Sequence, residues 1–72
     1  MTGEEAKQVL EMLKKQGYKE EDLLGSFYLM FVNDQISIEE LENLSNALGY
    51  RLADDFKKMS PYDQKTKGFE RI

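Results

Sequence analysis

A ten-residue stretch, Leu23 to Val32, constrains the fold of this 72-residue chain more than any other segment. It contains no charged residue, and Gly25 and Ser26 are the only members without a large apolar or aromatic side chain. A bilayer-spanning helix needs about 20 apolar residues, so protein has to cover this stretch. Three acidic residues at positions 20–22 favour a helix start directly before it. We predict a central helix, with a strand over residues 27–32 as the competing interpretation.

The apolar surplus of this helix points to a partner. Eight large apolar residues between Leu23 and Val32 exceed what three short amphipathic helices readily cover. We therefore expect Phe27, Tyr28 and Phe31 to form a partner surface. The expected partner is a second copy of the chain or one other protein.

Two further helices carry recognisable end signals. Thr2 and Glu5 have the spacing of a capping box, and the helix that they begin is expected to end at Gly17. Ser37 and Glu40 form a second capping box, and this helix is expected to end at Gly49. Ile36 and Leu41 occupy the positions of a hydrophobic staple around Ser37. Apolar residues recur at helical spacing in both helices. The stripe of the first is Ala6, Val9, Leu10 and Leu13, and the stripe of the second is Ile38, Leu41, Leu44, Ala47 and Leu48.

The last third of the chain predicts a short fourth helix and a tail. Residues 52–59 place Leu52, Phe56 and Met59 on one helical face, and the Ser60-Pro61 pair stops the pattern. The fold class is therefore an all-α bundle of four short helices in two helix hairpins. We expect one helical domain over residues 1–59 and a flexible basic tail over residues 60–72.

Charge divides the chain at about the same place. Residues 1–55 hold twelve acidic and five basic residues, a net charge of −7, whereas residues 56–72 hold five basic and two acidic residues, a net charge of +3. A basic tail can contact nucleic acid, which is the alternative function to protein interaction. It can also be a solvated end, or a docking segment led by Phe69 and Ile72. The candidate nucleic-acid contacts are Lys57, Lys58, Lys65, Lys67 and Arg71.

Composition excludes several chemistries. The chain has no Cys and no His, so thiolate zinc sites, cysteine nucleophiles and histidine-based triads cannot be built from it. Acidic residues at positions 39, 40, 42, 54 and 55 could chelate magnesium, but adjacent helical residues point in different directions and fit a solvated acidic face better. Four of them, at positions 39, 42, 54 and 55, also suggest a third possibility, an acidic mimic that occupies the groove of a DNA-binding protein. We expect no catalysis, no metal and no cofactor, and a cytoplasmic protein because the first residues lack an apolar secretory segment.

The segment from residue 33 to residue 56 resembles two known families. Ser37, Leu41, Leu44, Ser45, Ala47, Leu48, Gly49 and Tyr50 follow a pattern similar to the closing helices of phage-repressor-type regulators. That resemblance implies a packing and dimerisation element, since the preceding EEDLLGSFYLMFV lacks residues that read DNA bases. The segment also resembles the second half of an EF-hand, with Glu40 at the last ligand position. Leu29 and Phe31 stand where that loop needs oxygen ligands, so calcium binding is not expected.

The layout of the whole chain is similar to small open reading frames of phages and conjugative elements of Gram-positive bacteria. The segments that carry this resemblance are EEAKQVLEMLKKQGY, EEDLLGSFYLMFVNDQISIEEL and SPYDQKTKGFE. It implies an accessory intracellular protein of a mobile element, without assigning an activity.

Overall fold

The computed structural model describes residues 3–72, which form four α-helices and one small sheet. The described residues are mostly helical, and the sheet is the departure from an all-α bundle. The elements are α1 (Gly3–Lys15), α2 (Glu20–Val32), α3 (Ile38–Ala47), β1 (Tyr50–Leu52), a 3-10 helix (Phe56–Lys58), α4 (Pro61–Lys67) and β2 (Phe69–Arg71).

Helix α3 is the centre of the packing. It contacts α1, α2 and β1, and its residues Leu41, Leu44 and Ser45 are almost completely buried. The prediction that α2 is central is wrong, because α3 packs against both α1 and α2. The prediction of two helix hairpins is not confirmed, since the most extensive helix contact joins α1 to α3.

Helices α1, α2 and α3 are each followed by a residue in the left-handed conformation. Gly17 and Gly49 have φ angles of 93° and 91°, which supports the two predicted glycine ends. The amides of Gly17 and Tyr18 donate to the Lys14 and Leu13 carbonyls, the two hydrogen bonds of a Schellman motif. Helix α2 ends in the same motif, but Asp34, with φ 60°, occupies the left-handed position. The sequence marked this segment only as a polar break.

The start of α3 confirms the second capping box. The Glu40 amide donates to Ser37 Oγ at 3.1 Å, and the Ser37 amide donates to Glu40 Oε1 at 2.9 Å. Ile36 and Leu41, the two residues of the staple, are both buried in one core cluster. The first predicted capping box depends on Thr2, which lies outside the described residues.

The predicted fourth helix over residues 52–59 is wrong. Leu52 ends strand β1, and only Phe56–Lys58 form a single 3-10 turn. Strand β1 pairs antiparallel with β2, with Leu52 opposite Phe69 and Tyr50 opposite Arg71. A helix over residues 52–59 would break this pairing. Phe56 is buried as predicted, although it reaches the core from the 3-10 turn.

The segment predicted to be a flexible tail forms a helix and a strand in the structure. Residues 61–67 form α4, where Ser60 Oγ accepts the amide of Asp63 and Pro61 takes the first helical position. Residues 69–71 form β2. Phe69 lies in an aromatic cluster with Tyr28 and Phe56, at ring-centroid distances of 6.0 and 5.6 Å. Of the two residues expected to lead a docking segment, Phe69 packs within the chain and Ile72 is exposed.

Candidate functional site

The three residues predicted as a partner surface face the interior. Phe27 and Tyr28 are 4% and 6% exposed, and Phe31 is half-buried against Phe56, with ring centroids 6.0 Å apart. Phe27 and Tyr28 therefore belong to the core, which corrects the sequence prediction. The physical reason is that Phe69, from the segment expected to be free, packs against the Tyr28 ring, while Phe56 packs against Phe31.

The outward face of α2 carries the remaining apolar surplus. Leu29 and Val32 are 59% and 52% exposed. Gly25 and Ser26 are exposed on the same side, one helical turn before Leu29. From Leu23 to Val32 this face has no charged residue, whereas an exposed helix face normally carries several. An uncharged face with two exposed aliphatic side chains fits a contact surface.

A groove of about 530 Å³ runs along this face, and we call it the α2 groove. Helix α2 forms one side, and Lys65 of α4 and Phe69 of β2 form the other. Its lining combines apolar residues, among them Leu29 and Phe69, with two acidic residues of the first turn of α2 and with Lys65. The lining residues are Glu21, Asp22, Leu24, Gly25, Ser26, Tyr28, Leu29, Lys65 and Phe69.

Hydrogen bonds fix the wall of the α2 groove that α4 supplies. The Tyr28 hydroxyl donates to Gln64 Oε1 at 2.8 Å, with the Pro61 carbonyl oxygen at 3.2 Å. Gln64 Nε2 donates to the Phe56 carbonyl oxygen at 2.9 Å. Burial raises the pKa of Tyr28 above its ordinary value of 10.0, so its hydroxyl keeps its proton at neutral pH. Tyr62 lies one turn before Lys65 on α4, and its side chain is exposed.

The five basic residues predicted to contact nucleic acid do not share one groove. Lys65 lines the α2 groove, and Lys57 lines a groove between α3 and β1. Arg71 lines a third groove with Tyr18 and stacks over the Tyr50 ring, 5.6 Å from its centroid. Lys58 and Lys67 are exposed on the 3-10 helix and on α4. The five residues are thus spread over three elements, the 3-10 helix, α4 and β2.

The acidic residues weighed as metal ligands are partly brought together. Glu39, Glu42 and Asp54 line the groove of about 410 Å³ between α3 and β1, over a floor that includes Phe56. Among residues 3–72, no group of three or more acidic side chains has an arrangement that could hold a metal ion. Glu40 serves the helix cap, and the amide of Ser37 lowers the pKa of its carboxyl.

Comparisons with protein-family models, with curated proteins and with solved structures found no match for this chain. The resemblances drawn from its sequence stay predictions. In the part of the chain that the structure describes, no helix is both long enough and apolar enough to span a membrane.

The sequence analysis did not identify the outward face of α2, on which the exposed apolar residues lie. Asp22, Ser26 and Asn33 repeat at helical spacing and mark the side of α2 that faces solvent. Leu29 lies in the same row, so this polar spacing could have identified it as the exposed residue. This polar spacing is hard to recognise in the sequence, because eight of the ten residues from Leu23 to Val32 are large and apolar and Ser26 is the one polar residue among them.

Proposed function

We propose that this chain is a non-catalytic protein-interaction module that binds its partner through the α2 groove. The observation that carries the proposal is the exposure of Leu29 and Val32 on a helix face without charge. Burying such side chains at an interface is favourable, at about 25 cal/mol per Å² of apolar surface before the costs of association. The charged residues that line the groove, Asp22 on α2 and Lys65 on α4, would fix the orientation of the partner.

The composition supports a binding role rather than catalysis. With no His and no Cys, the side chains that most often transfer protons or act as nucleophiles at neutral pH are missing from the chain. Tyr28, whose pKa is raised by burial, is held in a structural hydrogen bond to Gln64. The exposed apolar side chains are therefore the feature of the surface that most needs a functional explanation.

The test uses one substitution on the groove and one matched control. Leu29→Lys places a charge in the proposed interface, whereas Met12→Lys changes a side chain of nearly equal exposure, 60% against 59%, on helix α1. Tagged wild-type chain is used to retain partners from the cells that express it. Untagged copies of the chain itself count among these partners. The two variants are then tested in the same way.

The proposal expects retention by the wild type and by Met12→Lys, and loss with Leu29→Lys. Circular dichroism checks that both variants keep their helices. If Leu29→Lys retains the same proteins as the wild type, the α2 groove is not the binding surface and the proposal fails.

A further inference from the structure

Gly25 has no role within the chain that only glycine could fill. It lies in the interior of α2 and does not have a positive φ, unlike Gly17 and Gly49. A Cβ atom added at Gly25 would meet nothing within 4 Å. Glycine in a helix interior costs roughly 1 kcal/mol relative to alanine. What Gly25 does provide is an open depression on the outward face of α2.

Leu29 is a side chain of the right kind to fill such a depression. It projects from the same face one helical turn after Gly25 and is 59% exposed. A projecting residue and a depression four residues apart on one helix are self-complementary. When two such helices pack antiparallel about a twofold axis, Leu29 of each enters the depression at Gly25 of the other. A parallel pair would instead place each residue opposite its own copy.

Charge favours a second copy at this face. A chain with net charge −4 repels its own copies, so two copies approach best through a surface free of like charges. The α2 face is such a surface between Leu23 and Val32. The lining of its groove also carries both signs, with Glu21 and Asp22 on α2 and Lys65 on α4. Two copies can thereby pair opposite charges around an apolar centre.

We propose that the occupant of the α2 groove is a second copy of this chain, in an antiparallel pairing of the two α2 helices. This inference rests on the proposed function and names its partner. The pairing is centred between Gly25 and Leu29, and the exposed Val32 lies one helical turn beyond Leu29. The area that one short helix and one groove can bury is small for a protein–protein interface. We therefore expect a weak, reversible dimer.

The first experiment measures the mass of the full chain by sedimentation equilibrium over a wide range of micromolar concentrations. The wild type and Met12→Lys are expected to show the same monomer–dimer equilibrium, and Leu29→Lys is expected to weaken it by at least roughly tenfold. A wild-type chain that stays monomeric throughout overturns the inference, as does a dimer that Leu29→Lys leaves unchanged.

The second experiment tests the antiparallel register by mixing two variants. Gly25→Lys and Leu29→Glu each leave an unpaired charge in both contacts of a homodimer, so each variant alone is expected to be monomeric. In the mixture, a heterodimer pairs the lysine introduced at position 25 of one chain with the glutamate introduced at position 29 of the other. Its second contact is the native one, Leu29 against Gly25. Dimer formed only in the mixture supports the register, and monomers in the mixture contradict it.

A third variant separates association from folding. Gly25→Ala fills the depression by one carbon and replaces a poor helix former by the best one. It is expected to raise the melting temperature measured at low concentration and to weaken the dimer by several-fold. A rise in both the melting temperature and the dimer affinity contradicts a role for the depression. A monomeric wild type that still retains another protein through Leu29 removes the second copy but leaves the proposed function standing.

Discussion

At the scale of single residues, the ends of the helices carry the most specific information. Gly17, Asp34 and Gly49 each take the left-handed backbone position that closes a helix. Two of them are glycines, which adopt this conformation without steric cost, whereas Asp34 bears a Cβ there. The left-handed conformation is therefore unstrained at Gly17 and Gly49 and strained at Asp34.

Asp34→Gly is expected to raise the free energy of unfolding by about 0.5–1 kcal/mol, because glycine removes the cost of a positive φ. Urea denaturation at neutral pH measures the change. Asp34→Ala serves as the control and is expected to lower stability, since alanine keeps the Cβ and loses the polar side chain that tolerates this conformation. Equal stability of the two variants would contradict the argument.

The capping box makes the stability of α3 depend on pH. The Ser37 amide donates to the Glu40 carboxylate and lowers its pKa in the folded chain below the ordinary value of 4.5. A lowered folded pKa means that this contribution is fully present above about the ordinary value and is lost as the pH falls through the folded pKa.

Glu40→Gln keeps an oxygen acceptor for the Ser37 amide but cannot titrate. We expect its unfolding free energy to fall less steeply than that of the wild type as the pH drops below the ordinary carboxyl range. Glu39→Gln, on the same helical turn, removes a charge without removing this hydrogen bond and is the control. Parallel pH profiles for the wild type and Glu40→Gln would disprove the assignment.

At the scale of elements, Gly68 at the junction of α4 and β2 is closely packed, unlike the other described glycines. A Cβ at Gly68 would lie against the Gln64 carbonyl oxygen and 2.7 Å from two ring carbons of Phe56. Phe56 is almost completely buried, and its ring contacts those of Phe31 and Phe69. Neither the backbone of α4 nor this ring can move away at low cost.

Gly68→Ala is therefore expected to destabilise the chain by roughly 1–3 kcal/mol, the usual cost of forcing an extra group into a packed core. Amide hydrogen exchange should speed up first at Ala53 and Ile72, whose amides donate to the Gly68 and Gly49 carbonyl oxygens. The exposed neighbour Lys67→Ala is the control, and unchanged exchange in Gly68→Ala would contradict this account.

At the scale of the whole molecule, the C-terminal segment completes the core. Tyr28 is covered by Phe69 and hydrogen-bonded to Gln64, both from this segment. Arg51 and Glu70 form a cross-strand ion pair at 3.1 Å, on exposed side chains that add little by themselves. The apolar contacts, rather than the charges, hold residues 60–72 in place.

Removal of residues 60–72 is expected to abolish cooperative unfolding, because it exposes the Tyr28 and Phe56 rings and removes strand β2. A tail without structural role could be removed with no effect. Thermal unfolding followed by circular dichroism distinguishes the two outcomes. Ile72→Ser, at the exposed last residue, is the control and is expected to change stability by less than about 0.5 kcal/mol.

The sequence by itself determined the start of α3 and the glycine ends of α1 and α3. Ser37 and Glu40 are three residues apart. The two carbonyl groups that accept hydrogen bonds in the Schellman motif at Gly17 lie within four residues of it. Such signals are local, so they act in the same way whatever the rest of the chain does.

Only the tertiary structure decided which helix is central, where the sheet forms and which apolar residues stay exposed. Strands β1 and β2 have three residues each, too few for an alternating pattern, and each depends on a partner on the far side of α4. Once β2 is paired, Phe69 packs against Tyr28 of α2, so Phe27 and Tyr28 are buried and Leu29 is an exposed apolar residue. Burial is a property of contacts between distant segments, and the candidate site followed from those contacts.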